Sequence, residues 1–102
     1  MIVGTGITIY ETILSINADN VPVTGATFDT SMYKDGNIFV GIPITINLID
    51  SVRAIYSASW SADTTGDYQL YAKNNITSVI FISNNVSVKS DSELSTSIYI
   101  GL

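Results

Sequence analysis

The residues most capable of chemistry here are two glutamates and a pair of aspartates set around a turn. Glycoside hydrolysis needs two carboxyl groups flanking one bond, but Glu11 and Glu93 stand near opposite ends of a 102-residue chain. Asp63 and Asp67 could hold a calcium ion together with a backbone carbonyl. No EF-hand spacing accompanies them, and turn aspartates more often cap their own backbone. There is no histidine or cysteine, which removes the commonest general base, thiolate nucleophiles, thiolate zinc sites and disulfides. No nucleophile elbow and no phosphate loop is present. The expectation is a protein that is not an enzyme and uses no metal and no cofactor.

Aromatic rings are the remaining candidates. Tyr33, Tyr71 and Tyr99 fall on the side of their segments opposite the inferred core. Such residues can anchor a protein contact or stack on a sugar. The plainer alternative is a cross-strand tyrosine lying on its neighbour. Trp60 shares a face with Tyr56 and reads as core. Asn75-Ile-Thr77 and Asn85-Val-Ser87 match the glycosylation sequon. Thirteen Ser, eleven Thr and eight Asn make chance matches ordinary, and no glycosylation is expected.

Charge sorts the partners. The net charge is −5, and the four basic residues, Lys34, Arg53, Lys73 and Lys89, are scattered. Phosphate binding needs them clustered, so no nucleic acid is expected. No run approaches the ~20 apolar residues of a membrane span, and no basic segment leads into an apolar block as in a secretory signal. Charged residues make up 13%, about half of the ~25% usual in soluble domains. Little charge repulsion keeps neighbours away, which suits a chain packed among others.

The elements that must position these residues are strands. At this length one core and one domain are expected, residues 1–102, with 1–10 either an arm or a first strand. Two short β-like pieces precede Asn17, around Ile7–Tyr10 and Ile13–Ile16. Ala26, Phe28 and Met32 share one face, with Thr27, Asp29, Ser31 and Tyr33 on the other. Lys34-Asp35-Gly36-Asn37 reads as a hairpin turn, because Asp-Gly supplies the positive φ of the primed turns. A strand from Ile38 breaks at Gly41–Pro43 and resumes with Ile44, Ile46 and Leu48 inward. Ala54, Tyr56, Ala58 and Trp60 alternate against Ile55, Ser57 and Ser59. Val79-Ile-Phe-Ile82 is apolar on both faces, which predicts a central strand or one covered by a partner. Val86 and Val88 form a short strand, and Leu94–Ile100 a last one. The uncharged ends, Met1–Tyr10 and Leu94–Leu102, either pair within the molecule or add to another sheet.

The most informative stretch is Asp63-Thr-Thr-Gly66-Asp67-Tyr68-Gln-Leu70-Tyr-Ala72. Its alternation turns Tyr68, Leu70 and Ala72 inward, with Gln69, Tyr71 and Lys73 outward. It resembles the corner before strand F of an immunoglobulin-like sandwich, where a tyrosine anchors the turn through its hydroxyl. The resemblance makes Tyr68 that tyrosine, Gly66 the turn residue, and Leu70 the occupant of the slot that antibody domains fill with cysteine. Asp19-Asn20-Val21-Pro22-Val23-Thr24-Gly25-Ala26 in turn resembles the A-to-B connection of bacterial immunoglobulin-like domains. Those domains place Gly where Asn20 stands, and Asn also tolerates positive φ. Gly25 then permits a sharp entry into the next strand. The fold implied is all-β, an immunoglobulin-like β-sandwich of about seven to nine antiparallel strands.

Across residues 17–90 the chain is similar to the small immunoglobulin-like virion proteins of tailed bacteriophages. That resemblance implies a structural role in the virion, after synthesis in the host cytoplasm. The chain would act as a capsid decoration, connector or tail accessory, contacting other virion proteins and its own copies as a homo-oligomer. The alternative is a carbohydrate-binding or adhesion module at a cell surface, with the outward tyrosines as sugar platforms.

Overall fold

The alternation in the sequence becomes nine strands in the computed structural model, which describes residues 1–90 and Ser92. They are β1 (Ile2–Gly4), β2 (Ile9–Leu14), β3 (Phe28–Lys34), β4 (Asn37–Phe39), β5 (Thr45–Asp50), β6 (Ile55–Trp60), β7 (Gly66–Asn74), β8 (Ile80–Ile82) and β9 (Val86–Lys89). The larger sheet has the order β1-β9-β7-β3-β4, with β8 also on β7; the smaller has the order β2-β6-β5. The expected last strand, Leu94–Ile100, lies outside the described residues.

Inward residues of both sheets form one cluster: Ile9 and Ile13 from β2, Tyr56, Ala58 and Trp60 from β6, and Tyr68, Leu70 and Ala72 from β7 lie within it. Rings meet across the layers, Phe28 on Tyr56 at 5.1 Å and Trp60 on Tyr68 at 5.6 Å between centroids. Each large side chain buried this way contributes about 1.5–3 kcal/mol. The alternation read for β6 and β7 is the one observed, with Ile55, Ser57 and Ser59 half-buried outside and Tyr56, Ala58 and Trp60 buried inside.

Turn chemistry sets the register. Asp35 and Gly36 have φ of 51° and 84°, the primed turn expected, and β4 folds back so that Met32 pairs with Phe39 and Tyr33 with Ile38. Asn20 and Gly25 also take positive φ. Asp50 Oδ1 accepts the Val52 and Arg53 amides at 3.0 Å and closes β5.

Several expectations are corrected. The pairing is not antiparallel throughout: β1 lies parallel to β9, Val3 beside Val88. A long connection separates the two, so no tight turn constrains their direction. The two N-terminal pieces are instead β1 and a single unbroken β2 ending at Leu14. The break at Gly41–Pro43 is present, but the chain does not resume its strand there. It leaves the larger sheet and enters the smaller one as β5. Leu48 lies on the inward face, opposite buried Tyr56, but is 53% exposed, because among the described residues β5 is an edge strand whose register shifts between Leu48 and Asp50. The apolar run at 79–82 is not central. Among the described residues β8 pairs with β7 alone, and Ile80 and Ile82 are exposed, which leaves the other reading of this run, a strand covered by a partner, untouched.

Candidate interaction surface

β7 is the axis of the larger sheet, and three contacts hold it in place. At its start, the buried Tyr68 hydroxyl donates to the Thr64 carbonyl at 2.9 Å and shares a second contact with Thr64 Oγ1. Lys34 Nζ donates to the same Thr64 hydroxyl and lies over the Phe39 ring at 5.1 Å. Gly66 opens the strand rather than the turn: a Cβ there would stand 2.9 Å from Lys34 Cε and 3.2 Å from Asp35 Oδ2. In its middle, fully buried Leu70 donates its amide to Ser83 Oγ, and the Leu70 carbonyl accepts the Ser83 amide. The Ser83 side chain thus satisfies the ladder where the neighbouring line breaks between β8 and β9. At its end, Asn74 Nδ2 donates to the buried Ser15 hydroxyl, which donates to the Val23 carbonyl. That latch ties the two sheets together.

Registers then decide what faces outward. Tyr71 lies opposite Ser31 on one side and Ile82 on the other; Tyr33 lies opposite Gln69 and Ile38. The two tyrosines are therefore diagonal neighbours, and their rings meet at 4.4 Å between centroids, tilted by 42°. The result is an uncharged row across four strands, Ile38–Tyr33–Tyr71–Ile82. Its outer members are exposed, Ile38 by 65% and Ile82 by 51%. At one end of the row Asp29 and Lys73 are register partners. Both are exposed, and the only salt bridge among the described residues is Arg53 with Asp50. At the other end the Asp67 amide donates to Asp35 Oδ1, and Asp67 Oδ1 accepts from Asn85 Nδ2. Tyr99 lies outside the described residues, so the face is built from two of the three expected tyrosines.

Of the acidic candidates, Asp67 accepts from Asn85 Nδ2, and Glu93 lies outside the described residues. Among the described residues no three acidic side chains come together to hold a cation. Glu11 is an inward position of β2, opposite buried Ala58 and between Ile9 and Ile13. Burial pushes its carboxyl above the ordinary glutamate range. An open cleft of about 460 Å³ lies between the β2–β3 connection and the β7–β8 turn, with Ile16, Val23, Ile76 and Val79 in its walls.

Sequence reasoning found Tyr33, Tyr71, Tyr68 and Leu70 but missed Ile38, Ile82 and the Ser15–Asn74 latch. Alternation marks Ile38 and Ile82 as apolar, and only strand pairing puts them in the tyrosine row. No family model matches the chain, and no curated protein matches it.

Proposed function

We propose that the chain is an immunoglobulin-like sandwich that works as a non-enzymatic building block, through protein–protein contacts of its larger sheet. The setting we propose is the virion of a tailed bacteriophage, as capsid decoration, connector or tail accessory. The observation that carries the contact-forming role is the Ile38–Tyr33–Tyr71–Ile82 row, with exposed isoleucines at its ends and two half-buried tyrosines between them. Aromatic residues flanked by apolar ones, with charge held to the margins, are the composition of an interface centre.

Topology supports the immunoglobulin-like part. The run β9-β7-β3-β4 facing β2-β6-β5 has the order G-F-C-C′ over B-E-D of a variable-type sandwich. Tyr68 bonds back four residues, as a tyrosine corner at strand F does. In that scheme the stretch from Asp19 to Ala26 joins B to C, not A to B, since β2 already fills the B position. The virion setting is supported by the family resemblance and the charge-poor composition.

Sedimentation with assembled particles tests it: the purified protein should co-sediment with capsids or tails, and Tyr71→Ala should weaken that binding. A protein that never associates with particles would remove the virion role. The sugar-platform reading is weakened by the 4.4 Å ring contact, which covers one face of each tyrosine. A glycan array with a specific signal lost in Tyr71→Ala would restore it.

A further inference from the structure

We propose that the outer face of the larger sheet binds a second copy of this chain, about a two-fold axis that runs along β3 and β7, midway between them, and is inclined to them by half the angle at which the two sheets cross. The inference deepens the contact-forming role proposed above and rests on it.

Strand register carries the symmetry. A two-fold axis in the plane of contact, midway between two paired strands, lays residues of one strand over their register partners from the other copy, with an offset that grows away from the centre of the crossing. Asp29 pairs with Lys73 across β3 and β7, so the axis puts Asp29 over the partner's Lys73, and Lys73 over the partner's Asp29. Asp29 Oδ1 accepts a long contact from Asn75 Nδ2 at 3.4 Å, but no salt bridge joins Asp29 to Lys73 within the chain, among the described residues. Both charges can therefore take an opposite charge from outside. The same operation lays Tyr71 over the partner's Ser31 and Tyr33 over the partner's Gln69, a large ring over a smaller side chain each time. Val40, 84% exposed, follows Phe39, the register partner of Met32, just past the end of β4. Ile82 is level with Ser31 through Tyr71, and the operation carries it towards the partner's Val40. An isologous contact requires this kind of self-complementarity.

Two magnitudes bear on it. Five strands at ~4.8 Å and seven residues at ~3.4 Å give a face of roughly 20 by 24 Å. Burying two such faces removes on the order of 1,000 Å², the lower bound for a specific interface. The operation also carries Asp67 towards the partner's Asp35, a like-charge pair. Aligned sheets cross at about 30°. With the crossing centred on the Ser31–Tyr71 row, the Asp35–Asp67 level is four residues away and the Asp29–Lys73 level two. The acidic pair is thus offset by about 7 Å and the opposite-charge pair by about 3.5 Å, within reach of a lysine.

Charge exchange tests the axis, with sedimentation equilibrium as the readout. The wild-type chain should dimerise. Asp29→Lys and Lys73→Asp, each folded by circular dichroism, should each weaken the dimer about ten-fold or more, because like charges then face one another. Mixing the two variants should restore a heterodimer, since the first carries lysine at both positions and the second aspartate at both, so that opposite charges meet at each contact. A wild-type chain monomeric at high micromolar concentration, or single variants that dimerise as before, would overturn the proposal. So would two folded, monomeric variants that stay apart when mixed. Ile82→Asp, at an exposed position on a different strand, is the control: unchanged dimerisation would also count against it. If the wild type is monomeric yet co-sediments with particles, the two-fold falls and the contact-forming role stands.

Discussion

The two outer faces of the sandwich follow the same alternation and present different surfaces. On the smaller sheet the middle rows read Tyr10–Ser59–Thr45 and Thr12–Ser57–Asn47, mostly hydroxyls and one amide. On the larger sheet the equivalent middle carries two tyrosine rings in tilted contact between exposed isoleucines, with opposite charges at one margin. Both faces are poor in charge, so the low charge content of the whole chain hides two local solutions. A Ser/Thr middle stays hydrated, and the exposed apolar side chains of this face, Tyr10 and Leu14, stand apart towards the two ends of β2. A Tyr/Ile face offers area and keeps two ions for orientation. The difference teaches that charge poverty by itself does not mark an interface; the residues that replace the charges do.

The largest test removes the support that both faces share. Leu70→Ala should cost about 2–5 kcal/mol in urea unfolding, since the leucine is fully buried and leaves a cavity. A loss below about 1 kcal/mol would mean that the two sheets are not held by one core. Next comes the contrast itself. Tyr71→Ala should weaken self-association about ten-fold, which is ~1.4 kcal/mol, and Ser57→Ala on the other face should leave it unchanged. Equal effects from both would erase the distinction.

Tyr68→Phe tests whether the larger face depends on its corner. Losing the bond to the Thr64 carbonyl should cost about 1 kcal/mol; unchanged stability would mean the corner is held by packing alone. The smallest effect concerns the smaller sheet. Glu11 is half-buried on an edge strand and its carboxyl titrates above the ordinary range. The folded chain therefore holds that proton more tightly than the unfolded one. The resulting stabilisation is fully present below the unfolded value and is lost as pH rises through the folded one. Thermal midpoints across that window should fall with pH in the wild type and fall less in Glu11→Gln. Parallel curves would show that Glu11 is fully hydrated. Inward charge on an edge also discourages strand addition, a guard that the smaller sheet has at β2 and that no charged residue of β8 supplies.

Legibility followed the range of the interaction. The Asp35-Gly36 turn and the 63–72 corner depend on residues within ten positions of one another, and both could be read from residue types. Strand faces could be read wherever alternation was strict, as in β6. Sheet membership could not: nothing around Gly41–Pro43 distinguishes a kink from a change of sheet. Nor could the position of 79–82, because a run apolar on both faces looks the same whether it is central or at an edge. The Ser15–Asn74 latch spans 59 residues and has no local signature. The tyrosine row needed three registers at once, which is why two of its members were missed.

The parallel pairing of β1 with β9 has a mechanical consequence. Tension entering at Met1 and leaving at Lys89 pulls these neighbours along their length in opposite directions, so their bonds load together. A pull that opens the β3–β4 hairpin loads its bonds one after another. Stretched between positions 1 and 89, the molecule should give way in a single abrupt rupture. Gradual yielding under an optical trap would show that this pairing bears no load.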